Sequence, residues 1–290
     1  MLNKNVCVLT SIHAAIEAGD AILKVYKSDF EVKEKADQSP LTLADMRSHE
    51  IIVSRLSQFN LPILSEEGKD ISYEDRKKWD AFWLVDPLDG TKEFVKRNGE
   101  FTVNIALIQA QKSMLGVIFV PDKGILYFAS DEIGSYRADI HPLVDVLNSQ
   151  TERLRRSTEL SNSYSDQMVQ DLMGLSKSLP APHSTNKPLT IVGSRSHATP
   201  ELEAFVEEKR REHGHVEFIS AGSSLKICLV AEGQADIYPR LGPTMEWDTA
   251  AGQAVAENAG ARLLNYETKH PLIYNKENLL NPWFIVSRSL

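Results

Sequence analysis

The chain has little of what marks secreted or membrane-spanning proteins. Its 290 residues include only two cysteines, Cys7 and Cys228, and both stand among apolar neighbours. A disulfide framework is therefore not expected, and a reducing compartment is the default. No stretch reads as the roughly 20 apolar residues that a membrane span requires, and residues 1–20 lack the unbroken apolar run of a signal peptide. We therefore expect a cytoplasmic protein, and a peripheral association with the inner face of the membrane stays open.

Positive charge is also scarce. Lys and Arg number 32 against 40 Asp and Glu, so the formal net charge is −8. An excess of negative charge repels nucleic acid, and no basic stripe offsets it, which argues against a nucleic-acid partner. A small molecule that carries phosphate can bind such a chain only where lysines, arginines or metal ions supply local positive charge. The oligomeric state does not follow from the sequence.

Residues 1–140 read as an α+β subdomain. Apolar residues at three- and four-residue spacing predict a helix over 11–27 and a second helix that begins near Thr42 and stops before Pro62. β-rich runs follow and predict an antiparallel sheet, with strands over 61–67, 81–90, 101–109, 113–121 and 124–130. The first two of these strands each end in acidic residues, so the sheet would deliver carboxylates at its strand ends.

The rest of the chain divides at residue 188. Residues 138–188 are polar, rich in serine and interrupted by prolines, and we interpret 141–188 as a linker and insertion, most simply a solvated loop with a weak helical pattern at 168–175. A lid or an interface is the alternative. From residue 189 strands and helices alternate, which is typical of an α/β subdomain over 189–290. The predicted strands cover 189–194, 216–220, 235–240, 261–265 and 283–287, and the predicted helices 200–214, 222–233 and 247–260.

The segment Asp86-Pro87-Leu88-Asp89-Gly90-Thr91 places two carboxylates on either side of a bend. Proline fixes one backbone angle of the bend, and Gly90 permits angles that other residues resist. Thr91 can cap the helix that follows or turn its hydroxyl toward a ligand. By itself the segment is as consistent with a capped turn as with an ion site.

Two more acidic segments stand far away in the chain. Ser65-Glu66-Glu67 follows an apolar run, and Trp247-Asp248 opens a helix rich in Ala and Gly. Taken singly, the first reads as surface charge and the second as a helix N-cap. Together with the bend they form an oxygen-only ligand set, which suits a hard cation such as Mg²⁺. Carboxylates held about 4 Å apart repel by about 4 kcal/mol at an effective dielectric of 20, so convergence of these acids would demand cations.

DPLDGT, the upstream SEE and the downstream WDTAAG resemble the three signatures of the lithium-sensitive, magnesium-dependent phosphomonoesterases, the inositol monophosphatase superfamily. The resemblance implies a layered αβαβα fold with two subdomains and an active site between them. It also implies two or three Mg²⁺ ions as cofactors. The metal ligands it implies are the side chains of Glu66, Asp86, Asp89 and Asp248 and the backbone carbonyl of Leu88.

The same resemblance implies a catalytic pair. Asp45, in the segment Leu41-Thr42-Leu43-Ala44-Asp45, matches the acid that pairs with the motif threonine, here Thr91. The two would orient the water that attacks the phosphate ester. Backbone N–H groups that follow Gly90 would hold phosphate oxygens at a helix N-terminus.

The substrate is indicated by a second group of residues. Gly222–Cys228 and Ala235–Arg240 are similar to the CysQ-type branch of that family, the 3′(2′),5′-bisphosphate nucleotidases. In that branch Ser223, Lys226 and Arg240 would face a second phosphate, and His197 would contact the nucleotide, with Arg195 as an alternative phosphate partner. A solvated lysine, a strand-end arginine and a surface histidine are the plainer interpretations.

The resemblance therefore implies hydrolysis of adenosine 3′,5′-bisphosphate to AMP and phosphate, in support of sulfate assimilation. A second candidate substrate is 3′-phosphoadenylyl sulfate, which would give adenylyl sulfate. An inositol or sugar phosphatase is the alternative enzyme. A catalytically inactive nucleotide sensor on the same scaffold is the non-enzymatic alternative.

Overall fold

The computed structural model describes residues 2–28, 40–143, 162–180, 187–194 and 199–288. A seven-stranded sheet runs in chain order, with strands β1 (Ile63–Ser65), β2 (Ala81–Asp89), β3 (Thr102–Gln109), β4 (Lys112–Val120), β5 (Ile125–Ser130), β6 (Gly134–Asp139) and β7 (Lys177–Leu179). A five-stranded sheet has the order β11-β12-β10-β8-β9, with strands β8 (Leu189–Ser194), β9 (Val216–Ala221), β10 (Ile237–Arg240), β11 (Ala261–Asn265) and β12 (Phe284–Arg288). The helices are α1 (Lys4–Tyr26), α2 (Pro40–Leu56), α3 (Tyr73–Arg76), α4 (Thr91–Val95), α5 (Asn162–Gly174), α6 (Pro200–His213), α7 (Leu225–Glu232) and α8 (Ala250–Asn258).

The helices and sheets alternate in five layers, which confirms the predicted αβαβα fold. On β2, Trp83 and Val85 pack into a core with α1, α2 and α5. Phe82 and Leu84 point the other way, into a core shared with α7, α8 and the second sheet. The far face of the second sheet is covered by α6. Because both faces of the first sheet are buried, its strands are nearly continuous apolar runs rather than alternating ones.

The pairing of β1 and β2 differs from the prediction. We expected a wholly antiparallel sheet, but these two strands run parallel, with Ser65 opposite Val85. Parallel neighbours end at the same edge of a sheet, and a crossover must connect them; here α3 lies in that crossover. As a result Glu66, whose N–H donates to the Val85 carbonyl at 3.2 Å, leaves the sheet beside Asp86.

Helix α8 lies unusually close to the first sheet. A Cβ atom on Gly116 of β4 would fall 2.2 Å from the Ala251 carbonyl oxygen. Gly252 of α8 likewise leaves no room for a side chain where α8 meets Ile227 of α7. The contact with Gly116 sets the depth of the segment that carries Asp248.

The prediction of a solvated loop is wrong for residues 162–179, although the weak helical pattern predicted at 168–175 does fall on a helix, α5. Helix α5 buries Met168 and Leu172 in the first core, and β7 pairs with β6, with Tyr136 opposite Ser178. This part of the segment therefore completes the first sheet. Residues 144–161 and 181–186 lie outside the described residues, and the division into 1–140, 141–188 and 189–290 stays a prediction.

Helix α1 begins seven residues before the predicted start at residue 11. The side chain of Asn3 accepts a hydrogen bond from the Val6 N–H and caps the helix. At 23 residues the helix is long and apolar enough, by length and composition alone, to cross a membrane, which the sequence analysis did not expect. Its buried residues, among them Ile12, Ala15 and Ile22, pack into the first core, as those of a core helix do.

Candidate active site

The two acids of the DPLDGT segment face one pocket because β2 is interrupted between them. The pairing with β3 shifts register between Asp86 and Asp89, where Pro87 has no N–H for the ladder. The Leu88 N–H instead donates to Asp86 Oδ1 at 3.1 Å, and Ser48 Oγ on α2 donates to the Pro87 carbonyl at 2.7 Å. Gly90 then turns the chain into α4 with φ +95°, in the region that favours glycine.

Asp248 joins these acids from the far half of the chain. Carboxylate oxygens of Asp86, Asp89 and Asp248 all lie within 4.8 Å of one another. The short 3-10 turn Glu246–Asp248 carries the third of them. Asp248 Oδ2 accepts from the N–H of Met245, which precedes it, at 2.8 Å. The side chain therefore does not cap α8, and the N-cap interpretation of Asp248 is wrong.

Glu66 lies at the rim of this cluster. The residue as a whole is exposed, but its carboxyl end lies close to the side chains of Asp86 and Trp247. Burial raises the pKa of Glu66, and the charge of Asp89 raises it further. The parallel strand β1 and the turn that contains Trp247 thus bring Glu66 to the other acids.

Burial, together with mutual repulsion, raises the pKa of Asp86, Asp248 and Asp45 beyond the ordinary range of an aspartate. Burial, followed by the charges of Asp89 and Glu66, holds the pKa of Asp86 far above its usual value. Burial and the charge of Asp89 raise the pKa of Asp248 to about 7. Burial and the charges of Glu67 and Glu66 raise the pKa of Asp45 to about 8. Each shift reports the cost of bringing negative charge together away from water.

The acidic cluster fits a hard cation. The buried atoms Asp86 Oδ2 and Asp45 Oδ1 have no hydrogen-bond partner among the described residues, although buried carboxylate oxygens ordinarily have one. Oxygen ligands without His or Cys are the donors that Mg²⁺ takes up. A divalent cation in the cluster would supply Asp86 Oδ2 with a partner and offset the repulsion between the acids.

The phosphate-binding residues predicted from the sequence line the same pocket. A cavity of about 190 Å³ opens beside Asp89 and Asp248. Gly90, Thr91, Ser223, Lys226 and Arg240 all lie in its wall. The structure therefore brings the acidic cluster and the predicted cationic residues together, while His197 and Arg195 lie outside the described residues.

Lys226 is not a solvated helix lysine. Only 5% of the residue is exposed, and its Nζ donates to the Ser223 carbonyl at 2.6 Å and lies 5.5 Å from the centroid of the Tyr238 ring. Burial lowers the pKa of Lys226 to about 8, although the charge of Asp89 opposes this shift. An ammonium group buried in a cavity wall is available to a ligand rather than to bulk water.

Arg240 and Thr91 are placed in the cavity wall in different ways. Arg240 is the last residue of β10, half-buried, and its Nη2 donates to the Pro243 carbonyl at 2.7 Å. Thr91 opens α4 with an exposed side chain. The pairing of Thr91 with Asp45, and the use of the Leu88 carbonyl as a ligand, stay predictions.

Ser224 and Trp247 contact the acids of the site but were not predicted as functional residues. Ser224 donates to Asp89 Oδ2 from its N–H and from its Oγ, at 2.6 and 2.8 Å, and its Oγ also lies 2.7 Å from the Asp248 carbonyl oxygen. Both residues stood inside quoted motifs, but neither serine nor tryptophan is a typical Mg²⁺ ligand. Their contacts depend on the folded chain, and no signal in the sequence could have found them.

The five alternating layers of helices and sheets, with an acidic pocket among them, are typical of the sugar-phosphatase fold. The crystal structure of inositol monophosphatase II from Staphylococcus aureus MSSA476 has the same fold. It superposes with a TM-score of 0.68 at 19% identity, and the alignment covers 96% of this chain and 87% of that chain. The chain belongs to the inositol monophosphatase family, whose model matches residues 4–283.

Within this family the chain is similar to CysQ proteins. It is 41% identical over 278 residues to the 3′(2′),5′-bisphosphate nucleotidase CysQ of Escherichia coli strain K12, which covers 94% of this chain and 96% of the relative. The crystal structure of CysQ from Bacteroides thetaiotaomicron, a bacterial member of the inositol monophosphatase family, superposes with a TM-score of 0.85 at 46% identity, over 99% of this chain and 98% of the other.

Proposed function

We propose that this hydrolase is a magnesium-dependent 3′(2′),5′-bisphosphate nucleotidase. It adds water to adenosine 3′,5′-bisphosphate, so that the ester oxygen leaves as a hydroxyl and the products are AMP and phosphate. One observation carries the proposal: Asp89 and Asp248 of the acidic cluster share a single cavity with the buried Lys226 and with Arg240. The similarity to CysQ relatives supports the same substrate.

The acids form the metal-binding half of the site. Asp86, Asp89, Asp248, Glu66 and the Leu88 carbonyl would hold two or three Mg²⁺ ions. When bound, Mg²⁺ activates water and neutralises charge on the phosphate and on the departing oxygen. The fit rests on the orphaned oxygens of the cluster and on its raised pKa values, both of which a cation would relieve.

Residues of α2 and α4 would bind the attacking water and the phosphate that is cleaved. Asp45 and Thr91 would orient the attacking water, Asp45 from α2 and Thr91 from the start of α4. The backbone after Gly90 would hold phosphate oxygens where α4 begins. These roles need no covalent bond between the enzyme and phosphate.

The cationic wall distinguishes a bisphosphate from a monophosphate. A second phosphate can be met by the ammonium of Lys226 as a point charge and by the guanidinium of Arg240 as a two-pronged donor. Ser223 holds Lys226 through its carbonyl. An inositol monophosphate would leave this pair without an anion, so the bisphosphate is the better match. We place the nucleotide contact at His197.

We expect this reaction in the cytoplasm, where it would clear the nucleotide by-product of sulfate assimilation. The substrate is a small molecule, and the acidic surface gives no reason to expect nucleic acid.

A phosphate-release panel tests the proposal. Purified protein is given adenosine 3′,5′-bisphosphate, 3′-phosphoadenylyl sulfate, inositol 1-phosphate or fructose 1,6-bisphosphate, each with Mg²⁺ and with a chelator. We expect the adenosine bisphosphate to be cleaved far faster than inositol 1-phosphate, and only with Mg²⁺. The reverse ratio would replace the nucleotidase by an inositol phosphatase. Tight nucleotide binding without phosphate release would favour the sensor.

A further inference from the structure

A fully buried glutamate begins the turn that carries Asp248 and has no part in the proposed chemistry. Glu246 is 0% exposed. Its carboxylate accepts hydrogen bonds from the N–H of Asn275 at 2.6 Å and from the N–H and Nζ of Lys276 at 3.0 and 2.5 Å. Burial of a carboxylate is costly unless its oxygens are met in this way. Glu246 therefore fixes the start of the turn Glu246–Asp248 to residues 275–276.

A buried arginine holds the same segment from the other side. Arg76, 3% exposed, donates to Asn275 Oδ1 at 3.0 Å and to the carbonyls of Lys276 and Glu277 at 2.5 and 2.7 Å. Asn275 Nδ2 returns a hydrogen bond to the Arg76 carbonyl at 2.7 Å. Asn275 also takes a positive φ of 67°, which a non-glycine residue rarely adopts unless its surroundings hold it there.

These contacts connect the two segments that carry ligands from opposite ends of the chain. Glu246 begins the turn that presents Asp248 to the cluster and Trp247 to the carboxylate of Glu66. Arg76 ends α3, within the crossover that starts at Glu66. The segment 275–277 is therefore hydrogen-bonded both to α3, in the crossover that leads away from Glu66, and to the turn that carries Asp248.

We propose that Arg76, Glu246 and Asn275 are positioning residues that hold Glu66 and Asp248 at the spacing a divalent cation needs. The acids repel one another, so a loosely held turn would relieve that repulsion by moving Asp248 outward. The hydrogen bonds of Glu246 and Asn275 oppose this movement in the metal-free chain and make the site ready for the ion. The inference rests on the proposed metal site, but none of the three residues is itself a ligand.

The test measures metal binding without substrate or turnover. The dissociation constant for Mn²⁺ is determined for the full chain from the electron paramagnetic resonance signal of free Mn²⁺. Asn275→Gly removes the amide but keeps the positive φ available, Glu246→Gln removes one charge, and Arg76→Ala removes the opposite clamp. We expect each variant to raise the dissociation constant about 10-fold, which is typical of losing a residue that supports a metal ligand.

Leu172→Ala is the matched control, because this core residue of α5 lies on the opposite face of the first sheet. It should lower the unfolding temperature in chelator at least as far as Asn275→Gly does, and leave Mn²⁺ affinity within about 2-fold, the scale of the uncertainty in single-site effects. Equal losses of affinity in the control and in Asn275→Gly, or unchanged affinity in all three variants, would overturn the inference while the metal site stands. An absence of Mn²⁺ binding by the unmodified chain would overturn the metal site and the inference together.

Discussion

Ser224 binds Asp89 twice, from its backbone N–H at 2.6 Å and from its hydroxyl at 2.8 Å, on the same oxygen, Oδ2. Asp89 ends a strand of the first sheet, and Ser224 precedes α7, which packs toward the second sheet. The pair therefore links the two halves of the chain at the acidic cluster. Because both hydrogen bonds go to one oxygen, the other oxygen of Asp89 is available to a ligand.

Ser224→Ala should lower kcat/KM by about 10-fold, since a hydrogen bond to a charged group contributes about 1.5–3 kcal/mol. Steady-state kinetics across a range of Mg²⁺ concentrations would measure the loss. Ser176→Ala removes a hydroxyl that donates to the Leu172 carbonyl, far from the cluster, and should leave kcat/KM unchanged. Equal activity in both variants would show that the hydroxyl does not orient Asp89.

Asp89→Asn should lower turnover more than about 100-fold, the upper figure for residues that only support a metal ligand. The amide keeps the size of the carboxylate but loses its charge, so Mg²⁺ affinity should fall with turnover. Isothermal titration with Mg²⁺ and initial-rate kinetics would follow the two quantities. Asp131→Asn, at an acid that pairs with Lys4 at the surface, is the control. An Asp89→Asn enzyme with full activity would remove Asp89 from the metal site.

Lys226→Ala should raise KM for adenosine 3′,5′-bisphosphate about 10-fold or more and change KM for a monophosphate much less, because only the bisphosphate uses the second anion site. The estimate corresponds to losing one hydrogen bond to a charged group. Paired kinetics with adenosine 3′,5′-bisphosphate and 3′-AMP would separate the effects. Equal increases for both substrates would mean that Lys226 serves the scissile phosphate or the fold.

The same lysine predicts a pH effect on KM. Burial lowers the pKa of Lys226 to about 8, so its positive charge is present below that pH and is lost as the pH rises through it. KM for the bisphosphate should therefore increase above about pH 8. Lys226→Arg keeps its charge over the whole range, and its KM should stay flat there. A rise of the same size in Lys226→Arg would assign the effect to another group.

The metal-free chain should lose stability as the pH rises. Asp45 and Asp248 have pKa values raised to about 8 and about 7, so the folded chain binds more protons than the unfolded chain between about pH 4 and about pH 8. The free energy of unfolding then falls with increasing pH over that window. Thermal unfolding in chelator should show this fall, and excess Mg²⁺ should suppress it. An unfolding temperature in chelator that rises across the window would contradict the crowding of these acids.

The sequence allowed the fold and the acids to be predicted, because both depend on strong local patterns. The buried strands that lead to Glu66 and carry Asp86 are visible as apolar runs, and the three spaced motifs contain the acids that the structure brings together. The parallel pairing of β1 with β2 was not predictable from those runs, because a buried strand has the same pattern in either direction. The burial of Lys226 was likewise hidden, since it depends on Tyr238 and on the cavity wall from elsewhere in the chain.

The segment 162–179 shows the opposite failure. Its many serines and polar residues predicted a solvated loop, yet a few apolar residues, Met168 and Leu172 among them, are enough to seat a helix on the first core. The weak helical pattern at 168–175 was therefore the correct signal, and the polar average composition was the misleading one. The proximity of Trp247 to Glu66 could not be predicted for a different reason, because these residues are almost two hundred positions apart in the sequence.

The absence of a side chain at Gly116 determines which substitutions outside the pocket the site can tolerate. This glycine lies on β4 and contributes no atom to the pocket, but the backbone of α8 rests directly on it. Adding one methyl group there would lift the helix and draw Asp248 out of line with its neighbours. A substitution can therefore disturb the acidic cluster from the middle of a strand that contributes no residue to the cavity wall.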